Sequence, residues 1–406
     1  MKNVYILLIL LIGASASAQI INVPSSEDND PRLSSLPYYS YGKGLGLTSP
    51  DSLFQFNIRF RMQNRVTYLD AEDEKPSYDG QIRRLRLRFD GFIGSPKLLY
   101  AIQLSFAPGD VGELEDGGNI NIIRDAVIFY RPNDHWDISF GQTKLPGNRQ
   151  RVNSSGALQL TDRTINNARF TIDRDFGFQV HHSNEDSERF SYDLKAALST
   201  GEGRNVTGRS DDGVAVTAKA ELFPLGAFTR DGSYFEGDLV RETKPKLMLS
   251  GGYHQNNQAL RTQGTLGDFL FQPRTMRSVF VDAMFKYNGW SAMSAYLSRT
   301  TSKNAITYND DLTDFNFVQT GSGFDYQLGY LFPTNYEIIG RFSTQKAGDD
   351  IIEFVPDAKQ YSLGVTKYIW EHTFKLQAEV TLDELNYFDG NKRNNWYVRF
   401  QVEIGI

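Results

Sequence analysis

Apolar and polar side chains alternate along residues 81–92, whose sequence is QIRRLRLRFDGF. Because successive side chains of a β-strand point to opposite faces, this segment has one charged face and one apolar face as a strand. The charged face consists of Arg84, Arg86, Arg88 and Asp90, and the apolar face of Leu85, Leu87 and Phe89. A helix would spread the arginines around its circumference without an apolar stripe. The pattern predicts a strand whose apolar face meets either a protein core or membrane lipid.

The same alternation recurs along the chain and predicts about sixteen strands. The first of them has phenylalanines on one face and Arg59 and Arg61 on the other. The strands are predicted at Leu53–Met62, 81–92, Leu98–Phe106, Ile122–Arg131, Trp136–Thr143, Phe176–His182, Phe190–Ser199, Val214–Phe223, Leu247–His254, Val279–Tyr287, Trp290–Arg299, Phe324–Phe332, Tyr336–Gln345, Gln360–Ile369, Thr373–Leu382 and Trp396–Ile406.

The connections between these segments alternate between short and long. Long polar stretches, such as Gln63–Gly80 and Thr300–Ser322, alternate with tight turns, such as Pro333-Thr334. Outer-membrane barrels have short periplasmic turns and longer external loops, whereas a soluble sandwich has no reason for this regularity. The connection Pro224–Pro245 departs from the rule, because it is long where a periplasmic turn is expected.

The last predicted strand, Trp396–Ile406, alternates as cleanly as the segment at 81–92. Pairing with the first strand would close the sheet and leave no open edge in the membrane. A barrel of sixteen to eighteen strands encloses a water-filled channel. The predicted fold class is therefore all-β, a transmembrane antiparallel β-barrel of about sixteen strands.

The N-terminal residues 1–18 have the features of a secretory signal peptide. Lys2 precedes a short apolar run, and Ala16-Ser17-Ala18 is a cleavage site of the A-x-A type. We expect residues 19–52 to form a polar, loop-like periplasmic lead-in and residues 53–406 to form the barrel.

The composition narrows the possible functions. A formal net charge of −6 argues against a general nucleic-acid binder. The chain has no cysteine, which excludes disulfides and thiolate metal or redox sites. Aromatic residues are abundant, with 28 Phe and 21 Tyr, as expected of strands and of the interfacial girdles of barrels.

Several segments resemble the phosphate-selective porins O and P, in a Bacteroidetes-like branch. The similar stretches are FNIRFRMQNR at 56–65, RRLRLRFDGFIG at 83–94, DAVIFYR at 125–131, GQTKLPGNRQRVNSSGALQLTD at 141–162 and FPLG at 223–226. The resemblance implies a homotrimeric outer-membrane channel of sixteen strands, whose third long loop folds inward to narrow the pore. It also implies an arginine-lined path for anions, which are phosphate or polyphosphate in the named members.

Nine basic residues are the candidates for such a path. The channel-lining set is Arg59, Arg61, Arg84, Arg86 and Arg88, and the set in the third long loop, Gln142–Asn167, is Lys144, Arg149, Arg151 and Arg163. Guanidinium groups bind phosphate and carboxylate oxygens in pairs and stay charged. The loop has one acidic residue, Asp162, and so a net charge of +3. A basic loop that faces a basic wall should favour anions.

Other function classes remain as alternatives. Lumen arginines are often paired with carboxylates, which would make the protein an unselective diffusion porin. A surface or secreted sugar-binding β protein would not conduct at all. The five histidines lack metal-ligand spacing, so we expect no metal, no cofactor and no catalytic site. The expected partners are small anionic solutes, outer-membrane lipid and lipopolysaccharide, and not nucleic acid.

Overall fold

Alternating side chains form the inner and outer surfaces of one curved sheet. Along the strand Asp357–Trp370, the side chains of Tyr361 and Leu363 are exposed on the outer surface, whereas those of Ser362 and Thr366 are buried inside. An apolar outside and a polar inside invert the arrangement of a soluble core. The arrangement fits a barrel that faces lipid and encloses a polar lumen.

The computed structural model describes residues 38–40, 44–111, 121–206 and 213–406. The strands are β1 Tyr38–Ser40, β2 Gly44–Thr48, β3 Phe54–Ala71, β4 Ser77–Ile93, β5 Ser95–Ser105, β6 Ile123–Asn133, β7 Trp136–Lys144, β8 Arg174–Asn184, β9 Ser191–Ser199, β10 Ala215–Phe223, β11 Lys246–Arg261, β12 Phe269–Tyr287, β13 Trp290–Thr301, β14 Ile306–Tyr308, β15 Phe315–Phe317, β16 Gly321–Leu331, β17 Tyr336–Ala347, β18 Asp357–Trp370, β19 Phe374–Asn386 and β20 Lys392–Gly405. Short helices lie at Pro108–Val111, Arg149–Val152 and Ile165–Phe170, and 3-10 turns at Ser155–Ala157, Thr229–Tyr234 and Asp349–Ile351.

The strands β3–β13 and β16–β20 form a closed antiparallel barrel of sixteen strands, which confirms the predicted fold class. Each strand pairs with its neighbour in the sequence, and β20 pairs with β3, where Val398 lies opposite Tyr68. The hairpin of β14 and β15 lies within the connection between β13 and β16. Closure leaves no unpaired sheet edge for lipid to meet.

The first external connection is much shorter than predicted. The polar stretch Gln63–Gly80 was expected to be a loop, but β3 continues to Ala71 and β4 begins at Ser77. Tyr68 still pairs with Tyr78 in this extension. Beyond the membrane both faces of a hairpin meet water, so the hydrophobic alternation disappears while the backbone pairing continues. The prediction of a long loop here was therefore wrong.

The N-terminal lead-in contributes to the barrel wall. The strand β2 pairs with the first part of β3, where Leu45 lies opposite Ile58. The strand β20 pairs with the rest of β3, up to Gly405 opposite Arg61. The segment Gly44–Thr48 was expected to be loop-like, but it continues the sheet along β3 where β20 has ended. The predicted signal peptide, 1–18, lies outside the described residues.

Two connections enter the lumen from opposite ends. Residues 145–173, which we call the inner loop, join β7 to β8, and residues 224–245, which we call the periplasmic insert, join β10 to β11. Both make hydrogen bonds with inward-facing side chains of the barrel, including Glu221 and Lys286. In the ranges that the structure describes, we find no helix with the length and apolar character needed to cross a bilayer.

Candidate functional site

The inner loop crosses the lumen and bonds to the wall on several sides. Arg149 pairs with Glu221 at 3.0 Å, and the amide of Gln159 donates to Ser291 at 2.8 Å. The backbone N–H of Thr161 donates to the carboxylate of Glu379 at 2.9 Å. The wall partners of the loop include Glu221 on β10, Asp282 on β12, Ser291 on β13, Asp325 on β16, Glu337 on β17 and Glu379 on β19. The loop is therefore held along the wall from β10 to β19.

A cavity of about 730 Å³ remains between the inner loop, the periplasmic insert and the opposite wall. That wall, which we call the arginine wall, consists of Arg59, Arg61, Arg86, Arg88 and Arg124. The cavity lining has eleven arginines and lysines against six aspartates and glutamates. Because basic residues outnumber acidic ones, the lining has a cationic excess.

Carboxylates bridge neighbouring members of the arginine wall and reduce their mutual repulsion. Asp90 contacts both Arg59 and Arg88, the latter at 3.2 Å. Asp110, on the short helix Pro108–Val111, bonds to Arg86 at 2.7 Å and to Arg124 at 2.9 Å. The wall is thus partly neutralised at two points. Its most exposed guanidinium is that of Arg88, whose side chain is 39% exposed.

A second arginine group lies closer to the external side and holds the inner loop. Asp162 of the loop pairs with Arg65 at 3.2 Å, with Arg83 at 2.9 Å and with Arg84 at 3.0 Å. Burial alone would raise the pKa of the Asp162 carboxyl, but the three guanidinium groups hold that pKa well below its usual range. The carboxylate therefore stays ionised and fixes the loop to β3 and β4.

Arg84 does not face the cavity, although the sequence predicted it as channel-lining. Its side chain is 2% exposed and donates to Gln63 and Asp162. The other four predicted wall residues, Arg59, Arg61, Arg86 and Arg88, all line the cavity. Alternation gives the face of a side chain, but it cannot show that a loop will fold over that side chain.

The four predicted loop residues have different surroundings. Lys144 is the last residue of β7 rather than part of the loop, although its ammonium group donates to the carbonyl of Val152. Arg149 is fully buried against Glu221, on the side away from the cavity. Arg151 pairs with Asp173, and Arg163 donates to the backbone carbonyls of Gln150 and Asn153. The cavity is lined by Lys144, Arg151 and Arg163 but not by Arg149.

Two arginines reach the lumen through β-bulges and were missed in the sequence. The register of β3 and β4 shifts so that Gln63 pairs with Arg84 and Asn64 with Ile82, which leaves Arg83 as the extra residue. On β6 the corresponding extra residue is Arg124. A bulge turns a side chain away from the face that alternation assigns. Single-sequence patterns give no signal for either bulge.

Arg65 and Arg174 were also missed, for different reasons. Arg65 lies on the same face as Arg59 and Arg61, because it is four residues after Arg61, but the predicted strand ended at Met62. Arg174 is the first residue of β8 and pairs with Asp125 at 2.9 Å. A longer first strand would have revealed Arg65, whereas the pairing of Arg174 depends on tertiary contacts.

Glycines on the wall leave room for the inner loop. A Cβ atom at Gly364 would lie 2.3 Å from Cδ2 of Leu160, and one at Gly329 would lie 2.3 Å from Nε2 of Gln159. Such distances are far shorter than van der Waals contact. The loop can lie against β16 and β18 because these two positions have no side chain.

We expect Gly364→Leu to displace the inner loop and to raise the single-channel conductance in a planar bilayer. The leucine side chain would occupy the space of Leu160, and overpacking of this kind moves the backbone or costs about 1–3 kcal/mol. The matched control is Gly340→Leu, because a Cβ atom at Gly340 has no neighbour within 4 Å. Equal conductance in the two variants would contradict this role of Gly364.

The described ranges contain no cluster of three or more histidine, cysteine or acidic side chains placed to hold a metal ion. His181 and His182 point to opposite faces of β8, since His181 lies half-buried beside Lys195 while His182 stacks on Tyr192 at 5.7 Å outside. The residues that line the cavity offer the electrostatics and hydrogen bonding of arginine and lysine side chains.

Comparisons with known proteins agree with this geometry. The sequence profile of the family "Phosphate-selective porin O and P" matches residues 56–310. Among solved structures, the outer membrane channel DcaP of Acinetobacter baumannii is similar with a TM-score of 0.55 at 13% identity, over 89% of this chain and 99% of that one. OmpF of Salmonella typhi, in complex with daunomycin, gives 0.52 at 13% identity, over 87% and 98%. OprB of Pseudomonas putida gives 0.51 at 10% identity, over 86% and 94%. No curated protein sequence matches the chain.

Proposed function

Because the chain belongs to the phosphate-selective porin O and P family, we propose that its channel prefers anions and conducts them between the arginine wall and the inner loop. The chain is an outer-membrane porin that forms a channel, and not an enzyme. The observation that supports an anion preference is the excess of basic over acidic side chains around the cavity. A low-dielectric wall focuses such a charge excess on the solute that passes it.

Individual cations support the same proposal. Lys144 and Arg163 donate to backbone carbonyls, which carry no formal charge, so their own charges are not cancelled by these bonds. Arg88 has an exposed guanidinium at the side of the cavity. A phosphate oxygen pair matches the fork of a guanidinium group. We therefore propose phosphate-like oxyanions as the preferred solutes.

Unselective diffusion is the alternative that one observation favours. Asp90 and Asp110 each bridge two members of the arginine wall, and Glu403 lies 3.7 Å from Arg61. Each bridge lowers the field that an anion would meet in the cavity. The alternative predicts conductance without a clear preference for either sign of charge.

We propose that the barrel assembles as a homotrimer in the outer membrane, in contact with lipid and lipopolysaccharide. The support is the family membership and the apolar outer surface, where Phe178 and Leu363 are more than half exposed. Lipid or a neighbouring barrel would cover such a surface.

The test of the proposed function is the reversal potential of the purified protein in a planar bilayer under a KCl gradient. We expect the reversal potential to have the sign that selective permeation of chloride produces. We also expect inorganic phosphate in the low millimolar range to reduce the chloride current, because phosphate would occupy the cationic cavity. A reversal potential with the potassium sign would overturn the anion preference, and a potential near zero would favour unselective diffusion.

A further inference from the structure

The periplasmic insert is a second segment inside the barrel, although its position in the chain calls for a short turn. Residues 224–245 leave β10, run inward and return to β11. The insert is anchored where Ala227 N–H donates to the carbonyl of Asp186 and where Arg241 donates to the carbonyl of Leu331 at 3.0 Å. Both ends of the insert are thus tied to the wall.

Side chains of the wall hold the middle of the insert as well. Lys286, on β12, donates to the carbonyls of Gly232, Phe235 and Gly237 at 2.7–2.9 Å. The ring of Phe235 stacks on His372 with 4.8 Å between centroids. These anchors lie on β12 and on the turn before β19, and both Lys286 and His372 line the cavity together with the arginine wall. The insert is therefore held at the border of the cavity.

Glu236 connects the insert to the inner loop. Its side chain is 1% exposed and accepts hydrogen bonds from the amide of Gln150 at 3.1 Å and from the N–H of Gln159 at 2.9 Å. Its own N–H donates to the carbonyl of Ala157 at 3.1 Å. The amide of Gln327, on β16, also donates to the carboxylate at 3.1 Å. One carboxylate thus joins the insert, the inner loop and the wall.

We propose that the periplasmic insert is a second constriction element and that Glu236 is the residue that positions the inner loop on it. The insert contributes Arg230, Phe235 and Leu239 to the lining of the cavity, so it forms one side of the passage. Solutes that have passed the inner loop must then pass through the space between the insert and the arginine wall. This inference rests on the proposed function only in that the cavity is the conducting path.

The bonding around Glu236 explains why this residue holds the loop. A buried carboxylate is costly unless hydrogen bonds satisfy it, and here three amide donors do so, two from the inner loop and one from β16. Removal of the carboxylate would leave these donors unpaired in a buried site. The inner loop and the insert would then separate and admit water, because hydration is the remaining way to satisfy the donors.

The experiment compares Glu236→Ala and Glu236→Gln with Asp383→Ala by single-channel recording in planar bilayers. The control also removes a lumen carboxylate, one that accepts from Gln360 on the neighbouring strand at 2.8 Å. We expect Glu236→Ala to raise the conductance at least about twofold, because the constriction widens. Glu236→Gln keeps one carbonyl oxygen for the amide donors, so its conductance should lie between those of wild type and Glu236→Ala. Asp383→Ala should conduct like wild type.

Heat-modifiable migration on a gel first shows whether each variant forms a barrel. If Glu236→Ala does not assemble, the conductance of Glu236→Gln tests the role of Glu236. Wild-type conductance in the Glu236 variants would overturn the inference, even if the channel prefers anions. Conversely, a potassium-sign reversal potential in wild type would overturn the proposed function but leave the conductance comparison valid. The two failures are therefore distinguishable.

Discussion

Replacement of both Arg59 and Arg88 by glutamate is expected to reverse the ion selectivity of the channel from chloride to potassium. The two residues lie opposite each other on β3 and β4, share the carboxylate of Asp90 and line the cavity. Their side chains are 28% and 39% exposed, so glutamates at these positions stay hydrated and need not disturb the barrel. The double change makes the wall four charge units more negative.

The expected size of the change in ion selectivity follows from simple electrostatics. A unit charge about 4 Å from a permeating ion contributes roughly 1 kcal/mol in water, and salt screens part of it. Four units then change the chloride-to-potassium permeability ratio by at least about tenfold, since about 1.4 kcal/mol corresponds to a factor of ten. The measurement is the reversal potential under a KCl gradient, before and after substitution.

A matched control makes the same charge change outside the cavity. Arg131 and Arg189 are exposed near the periplasmic end, at 55% and 87%, and we expect Arg131→Glu with Arg189→Glu to leave the sign of the reversal potential unchanged. If the control reversed the selectivity as strongly as the cavity variant, net protein charge rather than the arginine wall would determine it.

The barrel could be predicted from the sequence because its cause is local. Alternation at a spacing of two placed Arg59, Arg61, Arg86 and Arg88 on the inner face, and the structure has them there. The sixteen strands follow from the same pattern and from the connection lengths. The error at Gln63–Gly80 arose where both faces of the hairpin meet water, because burial no longer imposes alternation.

The details of the site depended on contacts between distant segments. Asp162 and Asp110 reach the arginines from two loops, so the burial of Arg84 could not be deduced from β4 alone. The bulges at Arg83 and Arg124 depend on the register between strands. The periplasmic insert was evident in the sequence only as an unusually long connection, because its course depends on residues of β12 and of the inner loop.

The most direct measurement of the conducting path uses two single cysteines in a chain that has none of its own. Ser154, on the inner loop, is exposed, lines the cavity and bonds to Arg61 at 3.0 Å. Ser250, on β11, is 6% exposed, does not line the cavity and bonds to Asp282, which also accepts from the backbone N–H of Arg149 in the inner loop. The two Ser→Cys substitutions are chemically identical and differ in position and in exposure.

A negatively charged methanethiosulfonate reagent, added to open channels in a planar bilayer, tests whether ions pass between the arginine wall and the inner loop. We expect the reagent to reduce the chloride current of Ser154→Cys by more than about half, because its sulfonate would neutralise and narrow the cationic passage. We expect no change in Ser250→Cys or in wild type. Block of Ser250→Cys with an unaffected Ser154→Cys would contradict a path along the arginine wall, because the ions would then pass between the inner loop and β11.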